Sequence, residues 1–465
     1  MAQHTNTTTR RTRGRTFSVL TAMAVAIGMA SMAPASAGGE ADWNLDHKRG
    51  QEIVLANLGS YPAVVVVPGS RYGSDPSNAE QVRPDNVGLT DLENSQVDSG
   101  DIDGDGDGEL VIGVPEAGVT LGGNAGKIVI VPGSSSGPDT GSDYAIENPQ
   151  PDGRGFGRRI LVADFDQDGY QDIFTTDTRD GADSLTILWG GPTPVSMATA
   201  TSTDSPLAGS IDAIVATNFD GDRRPEVVII NGDARNGATM RRLDISGSRE
   251  ISLGGTARAP GKIVGAAAGD VLGGDTGEVL LGQPRTGDGR SRVLIYGYSN
   301  GDFVLKQRLT QDTPGVPGTN EVGDRFGAAL VARDVDQDGK RDVAIGAPGE
   351  ALGGRVTLLY GHRNGLGAAG GHAISQDTQG VPGTDERGDD FGAAVSLLDV
   401  DGSGNADWVI GIPGEDAEYG SVVVIESSSA GNPKLGTTLR FEPEDVDMSN
   451  PDCCGQLTFG NRIGQ

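Results

Sequence analysis

The chain has little of most residue types that carry cross-links or acid–base chemistry. Two cysteines, three tryptophans and four histidines occur among 465 residues. Two cysteines cannot staple a chain of this length, so its core must come from buried apolar surface. So few histidines leave little material for a His-rich zinc site or a Ser-His-Asp triad. Basic residues are also scarce, 36 against 65 acids, for a formal net charge of −29. Nucleic acid repels such a surface, so a nucleic-acid partner is excluded on charge. Beyond the N-terminal segment no apolar run reaches 18 residues, which excludes a membrane-spanning helix there. Long stretches of helical periodicity and phosphate-binding glycine loops are absent too.

Glycine is what the sequence has in excess: 74 residues, about twice the usual share of about 7%. Those glycines follow no Gly-X-Y period, which excludes collagen and favours a turn-rich β architecture. The N-terminus reads as a targeting segment. Arg10, Arg11, Arg13 and Arg15 precede an apolar stretch from Ser18 to Ala30, and Ala35-Ser36-Ala37 is a small-residue cleavage site. Residues 1–37 are therefore expected to be a secretory signal peptide, leaving 38–465 as a single extracellular domain. Thr12-Arg13-Gly14 fits the twin-arginine pattern poorly after the Arg10-Arg11 pair, so the general export route fits better. In that oxidising setting the adjacent Cys453 and Cys454 leave three readings open: a vicinal disulfide, an intermolecular link, or two free thiols.

Self-comparison reveals repeats. Gln311-Asp312-Thr313-Pro314-Gly315-Val316-Pro317-Gly318-Thr319 recurs as Gln376-Asp377-Thr378-Gln379-Gly380-Val381-Pro382-Gly383-Thr384. Each copy leads to Phe-Gly-Ala-Ala (at Phe326 and Phe391), then an aspartate loop, then an apolar run ending in Gly-x-Pro (Val343 to Pro348, Trp408 to Pro413). Degraded copies come earlier. Short Val/Ile-rich runs follow Glu52, Glu109, Asp172, Glu226, Glu278, Asp342 and Asp407, which makes seven units spaced 52–65 residues apart. Runs of this length bounded by Gly or Pro read as strands. Each unit has room for four of them, which is one blade of a β-propeller. The first unit lacks its leading Phe-Gly strand, and the chain ends on a surplus one, Phe459 to Gly464. The expected fold is all-β: a seven-bladed β-propeller closed by the C-terminal strand pairing into the first blade, which would also remove an exposed sheet edge.

The aspartate loops carry the clearest chemistry. Asp164, Asp166, Asp168 and Asp172 place carboxylates at loop positions 1, 3, 5 and 9, and Asp334, Asp336, Asp338 and Asp342 repeat the spacing. Asp101, Asp103, Asp105 and Glu109 repeat it again, with Asp107 added at position 7. Four carboxylates in nine residues repel unless a cation holds them, and Ca2+ takes six to eight oxygens in flexible geometry. Alternate side chains supply three oxygens, the position-7 carbonyl another, and the last acid can give two. Glycine at position 6 permits the reversal. Two copies are weaker. Asn218, Asp220, Asp222 and Glu226 keep oxygens at every position, but Arg223 replaces the glycine. Asp399, Asp401, Ser403 and Asp407 keep Gly404 but offer only a hydroxyl at position 5. The Asp270 to Glu278 loop, with Leu272 and Gly273 at positions 3 and 5, is expected to hold no ion. Position 12 is Thr175 or Ile345, in place of the glutamate of an EF-hand.

Phe326-Gly327, the loop Asp334 to Asp342 and Gly346-Ala347-Pro348 together resemble the FG-GAP repeat of integrin α-subunits. Phe391-Gly392 with Gly411-Ile412-Pro413, and Phe156-Gly157, are close variants, while units two, four and five lack Phe-Gly and units three and four lack Gly-x-Pro. The whole is similar to integrin-like FG-GAP proteins secreted by actinobacteria. The resemblance implies a seven-bladed propeller with calcium loops between the first two strands of a blade and ligands on the opposite face.

Other motifs carry less. Gly133-Ser134-Ser135-Ser136-Gly137 matches the nucleophile-elbow spacing, but a Gly-Pro-rich loop follows where a helix is needed, so it reads as a turn. His47, His362 and His372 all sit in loop-like sequence. Arg387-Gly388-Asp389 is the tripeptide that integrins recognise, but Val322-Gly323-Asp324 occupies the same place in the preceding unit, so it reads as a loop with a chance arginine. No catalytic residue stands out. The expected function is a monomeric adhesion module that binds a protein or glycan through loops 310–325, 346–354 and 376–390. The alternative is an extracellular hydrolase or lyase acting on polysaccharide or phosphoester on the same scaffold.

Overall fold

The computed structural model describes residues 51–464 except 57–62, 71–72, 90–91, 93–94, 118–125, 135–136, 149–153, 180–181, 208, 234–236, 275, 286, 447 and 449–462. The expected signal peptide, His47 and the Cys453–Cys454 pair lie outside the described residues.

Seven four-stranded antiparallel sheets, blades I to VII, follow one another along the chain. Blade I contains Ile53–Leu55, Val64–Val67 and Glu80–Val82, and blade II Gln96–Gly100, Glu109–Val114, Lys127–Val131 and Tyr144–Glu147. Blade III contains Ile160–Ala163, Asp172–Arg179, Ala182–Leu188 and Thr201–Asp204, and blade IV Ala213–Thr217, Glu226–Asp233, Gly237–Ile245 and Ile251–Ala259. Blade V contains Gly265–Gly269, Glu278–Gln283, Arg292–Ser299 and Asp302–Leu309, and blade VI Ala329–Arg333, Asp342–Ala347, Arg355–Leu359 and Gly371–Ile374. Blade VII contains Ala394–Leu398, Asp407–Ile412, Ser421–Ile425 and Leu439–Phe441. Blade I is completed by Ile463–Gly464, paired with Leu55 and Val54 at the edge that the first strand holds in the other blades.

Every acid-led run expected from the sequence is the second strand of its blade, or the corresponding Ile53–Leu55 of blade I. These runs do not alternate because both of their faces are covered. All six residues of Glu109–Val114, Glu278–Gln283, Asp342–Ala347 and Asp407–Ile412 are buried. Fourth strands lie outermost and do alternate with solvent, as Asp302–Leu309 does. Each of seven apolar clusters draws on two neighbouring blades. The last joins the ends: Ile53, Leu55, Val65 and Val67 of blade I pack against Val409, Val422, Val424 and Phe441 of blade VII. The molecule is a seven-bladed β-propeller.

The Phe-Gly and Gly-x-Pro motifs meet across these seams. Phe156, Phe326 and Phe391 are buried between blades. The backbone N–H of Phe391 donates to the Gly353 carbonyl of the preceding blade at 2.6 Å. Gly392, at φ +84°, turns its own carbonyl onto Gly346, where an added Cβ would sit 2.0 Å from that oxygen. Gly113 against Gly157 and Gly282 against Gly327 repeat the contact at 2.1 and 1.9 Å. Glycine at both positions lets backbone pack on backbone, an approach that any side chain would prevent. Gly346→Ala should therefore destabilise the fold by about 1–3 kcal/mol or more in urea unfolding. Gly436→Ala, with nothing within 4 Å of the added Cβ, should change little. Equal midpoints for the two variants would contradict this account of the motif.

Candidate metal centres

All of the aspartate loops join the first and second strands of a blade, and so lie on one face of the ring. Five of them gather three acids whose oxygens lie within 4.8 Å of one another: Asp101, Asp103 and Glu109; Asp164, Asp166 and Asp172; Asp220, Asp222 and Glu226; Asp334, Asp336 and Asp342; Asp399, Asp401 and Asp407. In four loops the acids come from positions 1, 3 and 9. In blade IV, where Asn218 holds position 1, they come from 3, 5 and 9. Asp105, Asp107, Asp168 and Asp338, placed with the ligands by spacing alone, stand outside these groups.

Backbone N–H groups shape each loop. The ninth acid reaches back to the amide of position 2: Glu109 to Ile102 at 2.7 Å, Asp172 to Phe165 at 2.9 Å, Glu226 to Phe219 at 2.6 Å, Asp342 to Val335 at 2.8 Å and Asp407 to Val400 at 3.1 Å. In blades III, VI and VII the first acid accepts the amides of positions 5 and 6, as Asp334 does from Asp338 and Gly339, whereas Asp101 accepts those of positions 4 and 6. When the ninth acid is aspartate, its second oxygen also accepts a backbone N–H, from Gly190, Gly361 or Ser427. The expected two-oxygen grip on a cation is thereby limited to the lone pair that each oxygen retains. The loop of blade V keeps the same bond, Val271 N–H to Glu278 at 3.1 Å, without the third and fifth acids.

Burial, reinforced by the neighbouring loop acids, pushes Glu109, Asp172, Glu226 and Asp407 up to about 8 and Asp342 to about 7. The N–H donors oppose this only in part. A site that collects oxygens, excludes sulfur and nitrogen ligands, and strains against its own charge suits a hard divalent cation. The five groups are consistent with cation sites.

Neighbouring loops are also stitched together. The carbonyl at position 1 accepts the amide at position 8 of the next loop: Asp101 from Gln171, Asn218 from Gly277, and Asp270 from Arg341. Asp399 accepts from Gln51 in the same way, carrying the stitch from blade VII to blade I. Pro225 holds position 8 in blade IV and has no N–H to give. Across that seam Arg249 of blade IV reaches Asp166 at 2.6 Å and Asp168 at 2.9 Å, with its guanidinium 5.0 Å from the Trp189 ring centroid. Sequence spacing missed Arg249, and it also missed Arg242, which lies against Asp220 and Glu226. The signal available in the sequence was a pair of bases in an otherwise base-poor chain, but no local pattern ties them to acids 16 to 83 residues away.

The remaining motifs resolve plainly. Ser134 Oγ donates to Gly137 O at 2.7 Å, and Ser70 Oγ does the same to Gly73 O at 2.9 Å in blade I. His362 lies in a loop, but His372 belongs to the strand Gly371–Ile374, edge-on to Tyr360, which corrects its loop assignment. Asp389 of the Arg-Gly-Asp tripeptide is 4% exposed, and its carboxylate accepts the Glu386 N–H at 2.7 Å. Its counterpart Asp324 is equally buried. On the face opposite the acid loops, the near-duplicated segments are pinned by buried pairs, Gln311 to Glu350 at 2.6 Å and Gln376 to Glu415 at 2.5 Å. Val322, Leu352 and Tyr419 stand out from the loops on that face, each more than half exposed.

Comparison with known proteins places these features in a family context. The FG-GAP repeat model matches residues 94–131 and 326–359, the first three strands of blades II and VI with their acid loops. Integrin alpha-5 of Xenopus laevis is 32% identical over 194 residues, 39% of this chain and 17% of that protein. Integrin alpha-X of Homo sapiens is 40% identical over 149 residues, 31% of this chain and 12% of that protein. The phosphatidylinositol-glycan-specific phospholipase D of Homo sapiens is 29% identical over 131 residues, 26% of this chain and 16% of that protein. The matched segments thus span less than a fifth of each relative. The chain carries FG-GAP repeats on a β-propeller related over part of its length to these proteins.

The raised acids fix a pH dependence. Between about 4.5 and about 8, the metal-free folded chain keeps protons that the unfolded chain has lost. Its stability therefore falls as pH rises through that window. Thermal unfolding in chelator should give a lower Tm at pH 8 than at pH 5.5, and a higher Tm at pH 8 would refute the assignment.

Proposed function

We propose that this chain is a secreted binding module whose propeller is stabilised by Ca2+ on one face and engages a protein or glycan on the other. The observation that carries the calcium reading is the convergence of buried carboxylates, held by backbone donors, in loops of near-identical design. In blades II, III, VI and VII the first, third and ninth acids would hold the ion, and the position-7 carbonyl would add a further oxygen. The ion would supply positive charge that the loops lack. Binding the folded state alone stabilises it, by about 2.7 kcal/mol per site at a hundredfold excess over Kd.

The ligand reading is supported by the opposite face. Its loops rest on buried Gln–Glu pairs, which display them rigidly, and Val322, Leu352 and Tyr419 project from them at adjacent blades. Exposed apolar side chains on a rigid rim suit a protein ligand or the apolar face of a sugar. The net charge favours a basic ligand or one bridged by a cation. The inward-turned Asp389 argues against the Arg-Gly-Asp tripeptide as an adhesion signal. The pairing of Ile463–Gly464 with Val54 and Leu55 supports closure of the ring by the chain's end.

Three measurements test this reading. Tm should be higher in calcium than in chelator, and an unchanged Tm would count against a structural ion. Removal of residues 459–465 should lower Tm in calcium, and an unaffected truncation would refute closure by the C-terminal strand. Glycan-array and surface-protein binding should weaken for Leu352→Asp/Tyr419→Asp while Tm holds. Turnover of a phosphoester or polysaccharide, with binding indifferent to that pair, would favour the hydrolase or lyase alternative.

A further inference from the structure

One acid group has a cation supplied from within its own blade. In blade IV, Arg242 lies on the third strand, opposite Val228. The register-equivalent residues of the other blades are Val66, Ile130, Ile187, Ile295, Leu358 and Val424. All six are buried aliphatics facing the next blade. Arg242 takes this core position with its side chain 6% exposed. Its Nη2 donates to Asp220 Oδ2 at 2.5 Å and lies 3.7 Å from Glu226 Oε1, while Nε donates to Asp244. The guanidinium sits 4.4 Å from the Tyr298 ring centroid of blade V.

We infer that Arg242 replaces the metal ion in blade IV, so that this loop is locked by the chain's own guanidinium and takes no Ca2+. Three features of the same loop agree. Position 1 is Asn218, an amide in place of the carboxylate of the other four acid-group loops. Position 6 is Arg223, held at φ +76°, where those four loops have glycine. Two of the three converging acids, Asp220 at position 3 and Glu226 at position 9, are the ones that Arg242 lies against. A fixed guanidinium set against two acids of one group, Asp220 and Glu226, supplies charge and directed N–H donors and excludes a second cation from between them, whereas Arg249 meets only Asp166 of the blade III group. Blade IV then keeps its loop formed whatever the calcium level. Only the expectation that the other four loops take calcium rests on the proposed function.

The test uses the full chain and Ca2+ alone, with bound ions counted by equilibrium dialysis. Asp220→Asn/Asp222→Asn should bind as many ions per chain as the wild type, whereas Asp334→Asn/Asp336→Asn should bind one fewer. Loss of one ion from the blade IV variant would overturn the inference. Arg242→Leu, which installs the residue of blade VI, is read in chelator. A Tm several degrees below the wild type is expected, because carboxylates lose their built-in counter-charge, and an unchanged Tm would also overturn the lock. If the wild type binds no calcium at all, the calcium reading fails while the Arg242→Leu measurement still decides the lock.

Discussion

Everything in this molecule depends on blades packing face to face through buried apolar side chains, closely enough that backbone meets backbone at the glycine joints. A sheet in the ring buries both faces, so its second strand must be apolar at nearly every position, and the fold gains its core from seven similar seams. The Gly346–Gly392 contact sets how close two blades come. Phe391 fills the wedge beside it, and its amide ties to the preceding blade. The two sequence motifs are therefore two halves of one interblade joint, which is why they recur at the blade period.

That close packing creates an electrostatic problem on one face. Loops between first and second strands are drawn into a crowded rim, where backbone amides need acceptors. Short acidic side chains meet that need, and the ninth acid of each loop closes the turn from a nearly dry position. The same burial raises its affinity for a proton, so the rim is poised to accept positive charge in some form. A divalent ion, a guanidinium from the same blade and one from a neighbouring blade are three ways to supply it. Arg242 and Arg249 are examples of the latter two.

Repeat architecture lets each blade reach its own solution. A unit contacts mainly its two neighbours, so a change such as Pro225, which removes one interloop hydrogen bond, can be offset locally by Arg249 across the same seam. The opposite face shares the scaffold and has buried acids of its own, among them Asp324, Glu350, Asp389 and Glu415, of which Glu350 and Glu415 meet Arg355 and Arg440. Similarity to integrin subunits and to the phospholipase covers only part of each protein, so what those faces engage is a property of each chain and not of the fold.

The seven-fold period, the second strands and the acids at positions 1, 3 and 9 were all legible in the sequence, because each rests on residues close together in the chain. Spacing also pointed to positions 5 and 7. Asp105, Asp107, Asp168 and Asp338 stand outside the groups, at or near the loop tips. The inward burial of Asp389, the strand position of His372 and above all the placing of Arg242 and Arg249 were decided by tertiary structure. An arginine among aliphatic register mates is visible only once strands are paired. Its partners lie across turns and seams whose geometry no local pattern encodes.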